Sequence, residues 1–267
     1  MLRLVNKIGF LMKILVSYIK INYLRALEYR ADFLMAFVAT TFYTIGYVAF
    51  LGAILGQVPS VSGWNFDRML TLFAVSQMVV YLSWSLFRFS LSSFSEDVRN
   101  GDLDAVLKLP IDARFVISFK KHNTDLLLPL SMAVIILIYS LRNTVVTIPS
   151  LFIFILLFIC GFIIFYNLLF AFTSLSFWLI EGRDLAVLFE EIFSYSRYPA
   201  AVFPKVLSIL FSVFFPVLLI VYVPVSGLLN MFDWKLTIWS VAMVFLTWFL
   251  SQKIWQAGLR HYSSASS

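Results

Sequence analysis

The chain has 267 residues, of which 61% are hydrophobic and only 13% charged, with 29 Phe and a formal net charge of +6. Ordinary soluble domains carry roughly 45–50% apolar and about 25% charged residues, so a water-facing surface cannot be assembled from this set. The 34 charges are also clustered, with eight in 1–32, twelve in 88–125, seven in 181–205, two after 252 and five elsewhere. The basic balance belongs to the ends of apolar runs, where headgroups and topology account for it, and not to nucleic acid. A lone Cys160 excludes an internal disulfide and a multi-cysteine metal site.

Residues 1–32 place Leu4, Ile8, Leu11, Leu15 and Tyr18 on one helical face and Lys13, Ser17 and Lys20 on the other. That pattern predicts a helix lying in the membrane interface and contacting membrane lipids, with Ile14 and Ile21 weakening its polar face. Lys13 and Lys20 interrupt the apolar stretch, and no small-residue cleavage site follows, which argues against a cleavable signal peptide. Six windows then lack Asp, Glu, Lys and Arg: 33–66, 69–87, 126–141, 143–180, 206–232 and 236–252. About 20 apolar residues cross the hydrocarbon core as a helix, and open strand edges are not tolerated there. The reading is an all-α polytopic membrane protein with six transmembrane helices over 33–262, followed by a short disordered tail at 263–267. The long fourth window is read as one helix starting near Pro149, where proline is tolerated in the first turn. With both termini in the cytoplasm, 17 Lys and Arg fall inside and three outside, a strong positive-inside signal.

Motifs for chemistry are scarce. No P-loop pattern and no H-E-x-x-H occur, and no carboxylate lies within an apolar window. Catalytic, cofactor-binding and metal-ligating residues are therefore not assigned. Intramembrane ionisable groups are the usual mark of ion coupling, so their absence from the windows argues against a proton-coupled carrier. Gln77 and Asn167 are amides within apolar runs, and with Tyr81 they are candidates for a translocation path; the alternative is that the amides bond across helices.

The segment between the second and third windows carries more information. Ser93 and Glu96 have capping-box spacing. Asn100-Gly101 reads as a helix stop, and Asp102 as the cap of a second short helix limited by Pro110. In that helix Leu103, Val106 and Leu107 share a face, which needs a partner: another protein, lipid or the chain's own spans. A second connector, Glu181 to Glu191, places Leu185, Leu188, Phe189 and Ile192 on one face. It reads as a second contact for a partner, through Glu181, Arg183 and Asp184, or as a lipid-lying connector. Prolines at 199, 204, 216 and 224 predict a break or kink within 198–230.

The stretch Glu96-Asp97-Val98-Arg99-Asn100-Gly101-Asp102-Leu103-Asp104-Ala105-Val106-Leu107-Lys108-Leu109-Pro110 resembles the cytoplasmic loop of ABC-2-type transporter permeases, more narrowly a six-span subfamily of about this length. Tyr29-Arg30-Ala31-Asp32-Phe33 resembles that subfamily's approach to span one. Tyr195-Ser196-Arg197-Tyr198-Pro199, Phe203-Pro204, Pro216 and Tyr222-Val223-Pro224 resemble its proline-punctuated region. Trp255-Gln256-Ala257-Gly258-Leu259-Arg260-His261-Tyr262 resembles its C-terminal signature. The resemblance implies a permease subunit of an ATP-driven exporter in a bacterial plasma membrane. It implies pairing with a second permease subunit, identical or sister, and with two copies of a P-loop ATPase that bind ATP and Mg. It also implies a coupling helix within 93–124. Leu103, Val106 and Leu107 would fill a groove on the ATPase, Glu96, Arg99, Asp102 and Asp104 would supply rim charges, and Gly101 would permit the bend before Pro110. Importers of this superfamily use a different loop, with an E-A-A triplet before Gly, which this chain lacks. A hydrophobic or amphiphilic substrate follows from the absence of charges in the windows. A membrane scaffold without transport is the competing reading.

Overall fold

The computed structural model describes Ser17 and residues 30–123, 126–179 and 182–262. The predicted interfacial helix, apart from its last residues, and the tail lie outside the described residues. Ten helices organise the described chain: α1 (Arg30–Leu55), α2 (Phe66–Asn100), α3 (Asp102–Leu107), α4 (Ala113–Phe119), α5 (Leu127–Ser140), α6 (Ile148–Ser174), α7 (Gly182–Ser194), α8 (Lys205–Phe214), α9 (Val217–Leu228) and α10 (Trp234–His261). Apart from an isolated bridge between Val61 and Trp64, no strand occurs among the described residues.

Local chemistry sets the long helices. Asn65 caps α2, its side chain accepting from the Arg68 amide at 3.0 Å. Thr147 and Ser150 form a reciprocal capping box at the start of α6, with Pro149 in the first turn. The helix then runs 27 residues without a break, about 40 Å at 1.5 Å per residue. That confirms a single helix for the long fourth window. Asp233 caps α10 by accepting from the amides of Lys235 and Leu236. Their outward faces are apolar, as at Phe42, Phe152 and Phe245, which suits helices surrounded by lipid.

Four helices are long and apolar enough to cross a membrane, and five crossings result if the bent pair α8–α9 counts as one. The six expected spans thus reduce to four or five on length and composition. The third window yields only a 13-residue apolar stretch, Leu128–Ser140. The fifth is broken: α8 and α9 meet at 97°, with Pro216 between them unable to donate a backbone hydrogen bond. The break expected within 198–230 is present.

α6 is the central post, packed against α9 and α10, while α2 pairs with α5. The α6–α9 crossing depends on Gly161, where a Cβ would sit 2.6 Å from the Ile220 carbonyl oxygen. Backbone therefore meets backbone at this point, the close approach that glycine permits. α9 is apolar on every side and buried from Val217 to Leu228 except at Tyr222, as expected of a helix enclosed by others.

The two ends of the bundle differ. At one end Asp67 pairs with Arg142 at 3.3 Å and accepts from Asn143, and Asn230 donates to the Val145 carbonyl. At the other, charge-rich end, Arg88 meets Glu190 and Lys120 meets Asp97.

Candidate functional site

Two regions concentrate polar groups: the charge-rich end around α3 and α4, and a cavity beside α7. At the charge-rich end α2 terminates at Gly101, whose φ of 79° is left-handed backbone that glycine adopts without strain. This is the expected stop. The expected capping box is absent: the Ser93 hydroxyl donates to the Ser90 carbonyl at 2.9 Å, because the helix arrives from above and Ser93 still has αR backbone. Asp102 is the first residue of α3 and not its cap; that position falls on Gly101, without a side-chain bond.

The shared apolar face also divides. Leu103 is fully buried in the chain's own core, Val106 is half-buried, and Leu107 is 40% exposed. Leu103 therefore anchors α3 to the bundle and is unavailable to a partner. Leu107 and Leu109 form the outward apolar surface, with Glu96, Arg99, Asp102 and Pro110 exposed around it. Phe94 stacks edge-on to Phe177 and lies 5.8 Å from the Trp255 ring, which ties the segment to the C-terminal signature. Gly258 packs against Phe177 with no room for a Cβ. Burial first, and then the neighbouring Asp104 carboxylate, raises the pKa of the Tyr262 phenol.

The segment is clamped to the spans by polar bonds that the sequence did not reveal. Ser90 donates to the Ile117 carbonyl at 2.5 Å, Ser85 to the Asn123 carbonyl at 2.7 Å, and Lys120 pairs with the buried Asp97. Arg114 is the centre of the clamp. Its guanidinium, on α4, inserts between α6 and α10. It donates to Asn167 Oδ1 at 2.8 Å, to Gln252 Oε1 at 3.0 Å and to the Tyr166 hydroxyl at 3.3 Å. Its carbon lies 4.3 Å from the centre of the Phe170 ring. No carboxylate pairs with it among the described residues. Neutral dipoles and ring faces hold the charge instead. Asn167 also donates to Thr247 at 3.3 Å, so of the three path candidates it is an interhelical knot. Arg114 was hidden because it stands among five other Lys and Arg between 88 and 125; only the fold separates it from them.

The second region begins with a defect in α2. A π-helical turn covers Trp84–Arg88, a distortion that often marks functional sites. Trp84 lines a cavity of about 500 Å³ together with Gln77, Tyr81, Glu190, Glu191 and Arg197. Gln77 Nε2 donates to the Tyr81 hydroxyl at 2.9 Å, so two of the three path candidates meet here. Arg88 forms a two-pronged pair with Glu190, at 2.6 and 3.0 Å.

α7 is not a connector lying on lipid. Ala186, Phe189 and Phe193 are buried, and Phe189 and Phe193 pack edge-on against Phe165 of α6. The buried face is thus turned from the one expected, and Leu188 is exposed. Glu181 lies outside the described residues. Arg183 and Asp184 fall in the first turn of α7, where only the backbone is described.

The turn after α7 reaches the middle of the bundle. The Ser196 hydroxyl lies 3.5 Å from that of Ser76, which is ten residues into α2, about 15 Å along it. Arg197 follows, bonded to the Tyr43 hydroxyl and the Ser194 carbonyl and facing the Tyr47 ring.

A bundle of lipid-length helices with one clamped, charge-rich end defines a multi-pass membrane protein. The family model described as ABC-2 family transporter protein matches residues 41–266, and the chain belongs to that family. No curated protein and no solved structure matches it. Membership makes the chain a membrane permease component of an ABC transporter, a class that works with an ABC ATPase subunit and is generally not itself catalytic.

Proposed function

We propose that this chain is the membrane subunit of an ATP-driven exporter, paired with a second permease and two ATPase subunits, each of which binds ATP and Mg. It resides in a bacterial plasma membrane and moves an amphiphilic substrate by alternating access. The observation that carries the reading is the clamp. An exposed surface formed by Leu107, Leu109, Glu96, Arg99 and Asp102 is rigidly joined through Arg114, Asp97 and Ser90 to α2, α6 and α10. Closure of a partner against that surface would therefore move three long helices together. Shifting a two-state equilibrium from about 1:99 to about 99:1 requires roughly 5.5 kcal/mol of differential binding, which nucleotide-driven closure of a docked ATPase can supply. Asp104, half-buried at the back of α3, serves the rim less than Asp102 does.

The test is a mild-detergent pull-down of the tagged chain, with partners identified by mass spectrometry and assayed for ATPase activity. We expect a stoichiometric P-loop ATPase that is lost in Leu107→Asp and Asp102→Lys while membrane insertion persists. Leu103→Asp should instead reduce the folded yield. Recovery of no ATPase in several detergents would favour a scaffold without transport.

A further inference from the structure

The cavity beside α7 holds charges that an apolar passage would not need. Glu190 is neutralised by Arg88. Glu191 and Arg197 line the same cavity, and neither has an ion-pair partner among the described residues. Arg197 is bonded to neutral groups only, on its Nε and Nη1 sides. One free anion and one free cation thus border a single space, with the cation at mid-height and the anion on the exposed face of α7. Its walls also include Tyr81, an aromatic ring of the kind whose face attracts ammonium groups, and Trp84, whose ring already carries the Arg88 guanidinium at 5.0 Å. At about 500 Å³ the cavity lies within the range of small-molecule sites.

We infer that this cavity binds the head of a zwitterionic amphiphile, its phosphate on Arg197 and its ammonium between Glu191 and the ring of Tyr81. A solely anionic head would leave Glu191 facing like charge, and a solely cationic one would meet Arg197. The outward face of α1, apolar at Leu34, Met35 and Phe42, offers a path for the chain. That the bound molecule is cargo rests on the exporter reading; that it binds does not.

The experiment uses the purified full chain in a non-ionic maltoside. Native mass spectrometry measures binding of a single-chain phosphoethanolamine, a single-chain phosphoglycerol and an alkyltrimethylammonium. We expect one saturable copy of the phosphoethanolamine, bound at least about tenfold more tightly than the other two, as a lost charge-assisted contact dictates. Glu191→Gln should abolish the preference over phosphoglycerol. Arg197→Gln should weaken both phosphate compounds, and Arg197→Lys should restore part of the affinity and control for folding. Equal affinity for all three heads, or affinities unmoved by both Gln variants, would overturn the inference. Adding the ATPase partner and ATP in vesicles then distinguishes the sources: accelerated exchange of the bound molecule identifies cargo, and unchanged exchange identifies a resident lipid. Failure to find an ATPase would sink the exporter reading and leave the binding result standing.

Discussion

Arg114 and His122 illustrate how single polar residues behave when a helical bundle encloses them. The Arg114 charge survives burial because three neutral acceptors and two aromatic faces replace water. Hydrogen bonds to charged groups contribute about 1.5–3 kcal/mol each. Asn167→Leu should therefore lower stability by roughly that amount, read as a loss in detergent melting temperature. Arg114→Leu should be milder than its three bonds suggest, because it also removes the buried charge; with partner ATPase present, it should leave ATP hydrolysis intact and reduce transport. His122 is buried in the loop after α4, where neither ring nitrogen makes a well-formed hydrogen bond and backbone contacts at Leu86 and Lys121 offset its burial only in part. Burial pushes its pKa below the ordinary 6.5. The unfolded chain then binds the proton more readily than the folded one. The stabilising contribution is thus fully present above about pH 6.5 and fades as pH falls through the folded value. A series of melts from pH 8 to 5 should show this decline, and His122→Phe should flatten it.

Among the elements, α6 and α9 depend on each other. The Gly161 contact brings α6 onto the Ile220 backbone, and a backbone cannot yield as a flexible side chain can. Gly161→Leu should therefore abolish the monodisperse peak in size-exclusion chromatography, and Gly161→Ala should reduce it. Gly46 and Gly52 have nothing within 4 Å of a built Cβ, so alanine at either should leave the profile unchanged. α3 is the contrasting case. Six residues cannot hold a helix alone; burial of Leu103, worth about 1.5–3 kcal/mol, and the left-handed Gly101 hold it in place.

At the scale of the whole molecule, the number of crossings depends on α5 and α8–α9. α5 is short, and bonds tie its end and the loop before it to two levels of α2. Ser140 bonds to Thr71 near the start of α2, and Asn123, just before α5, meets Ser85 much further along it. α9 ends beside Asn230, which is tied to Val145 at the charge-poor end. Length and composition give four or five crossings; the expected topology, with both termini cytoplasmic, adds α5 as a sixth. Single cysteines at 59, 143 and 231 in a Cys160→Ala background should then label with an impermeant maleimide from outside intact cells. One at 108 should label only after permeabilisation. Labelling of 143 from inside alone would remove α5 as a crossing.

The sequence alone determined the medium, the helical class, the end of α2 at Gly101, the start of α6 near Pro149 and a break within 198–230. Each follows from composition or from short-range chemistry within a few residues. It could not show that Leu103 faces inward while Leu107 faces outward, since both lie on one apolar stripe and only the neighbouring helices decide which is covered. Arg114 and Arg197 were indistinguishable from surface charges for the same reason. The solvation of a charge is set by groups that lie far off in the chain, such as Asn167 and Gln252 for Arg114 or Tyr43 and Tyr47 for Arg197. Only tertiary packing brings those groups together, and with them the clamp and the cavity on which the function rests.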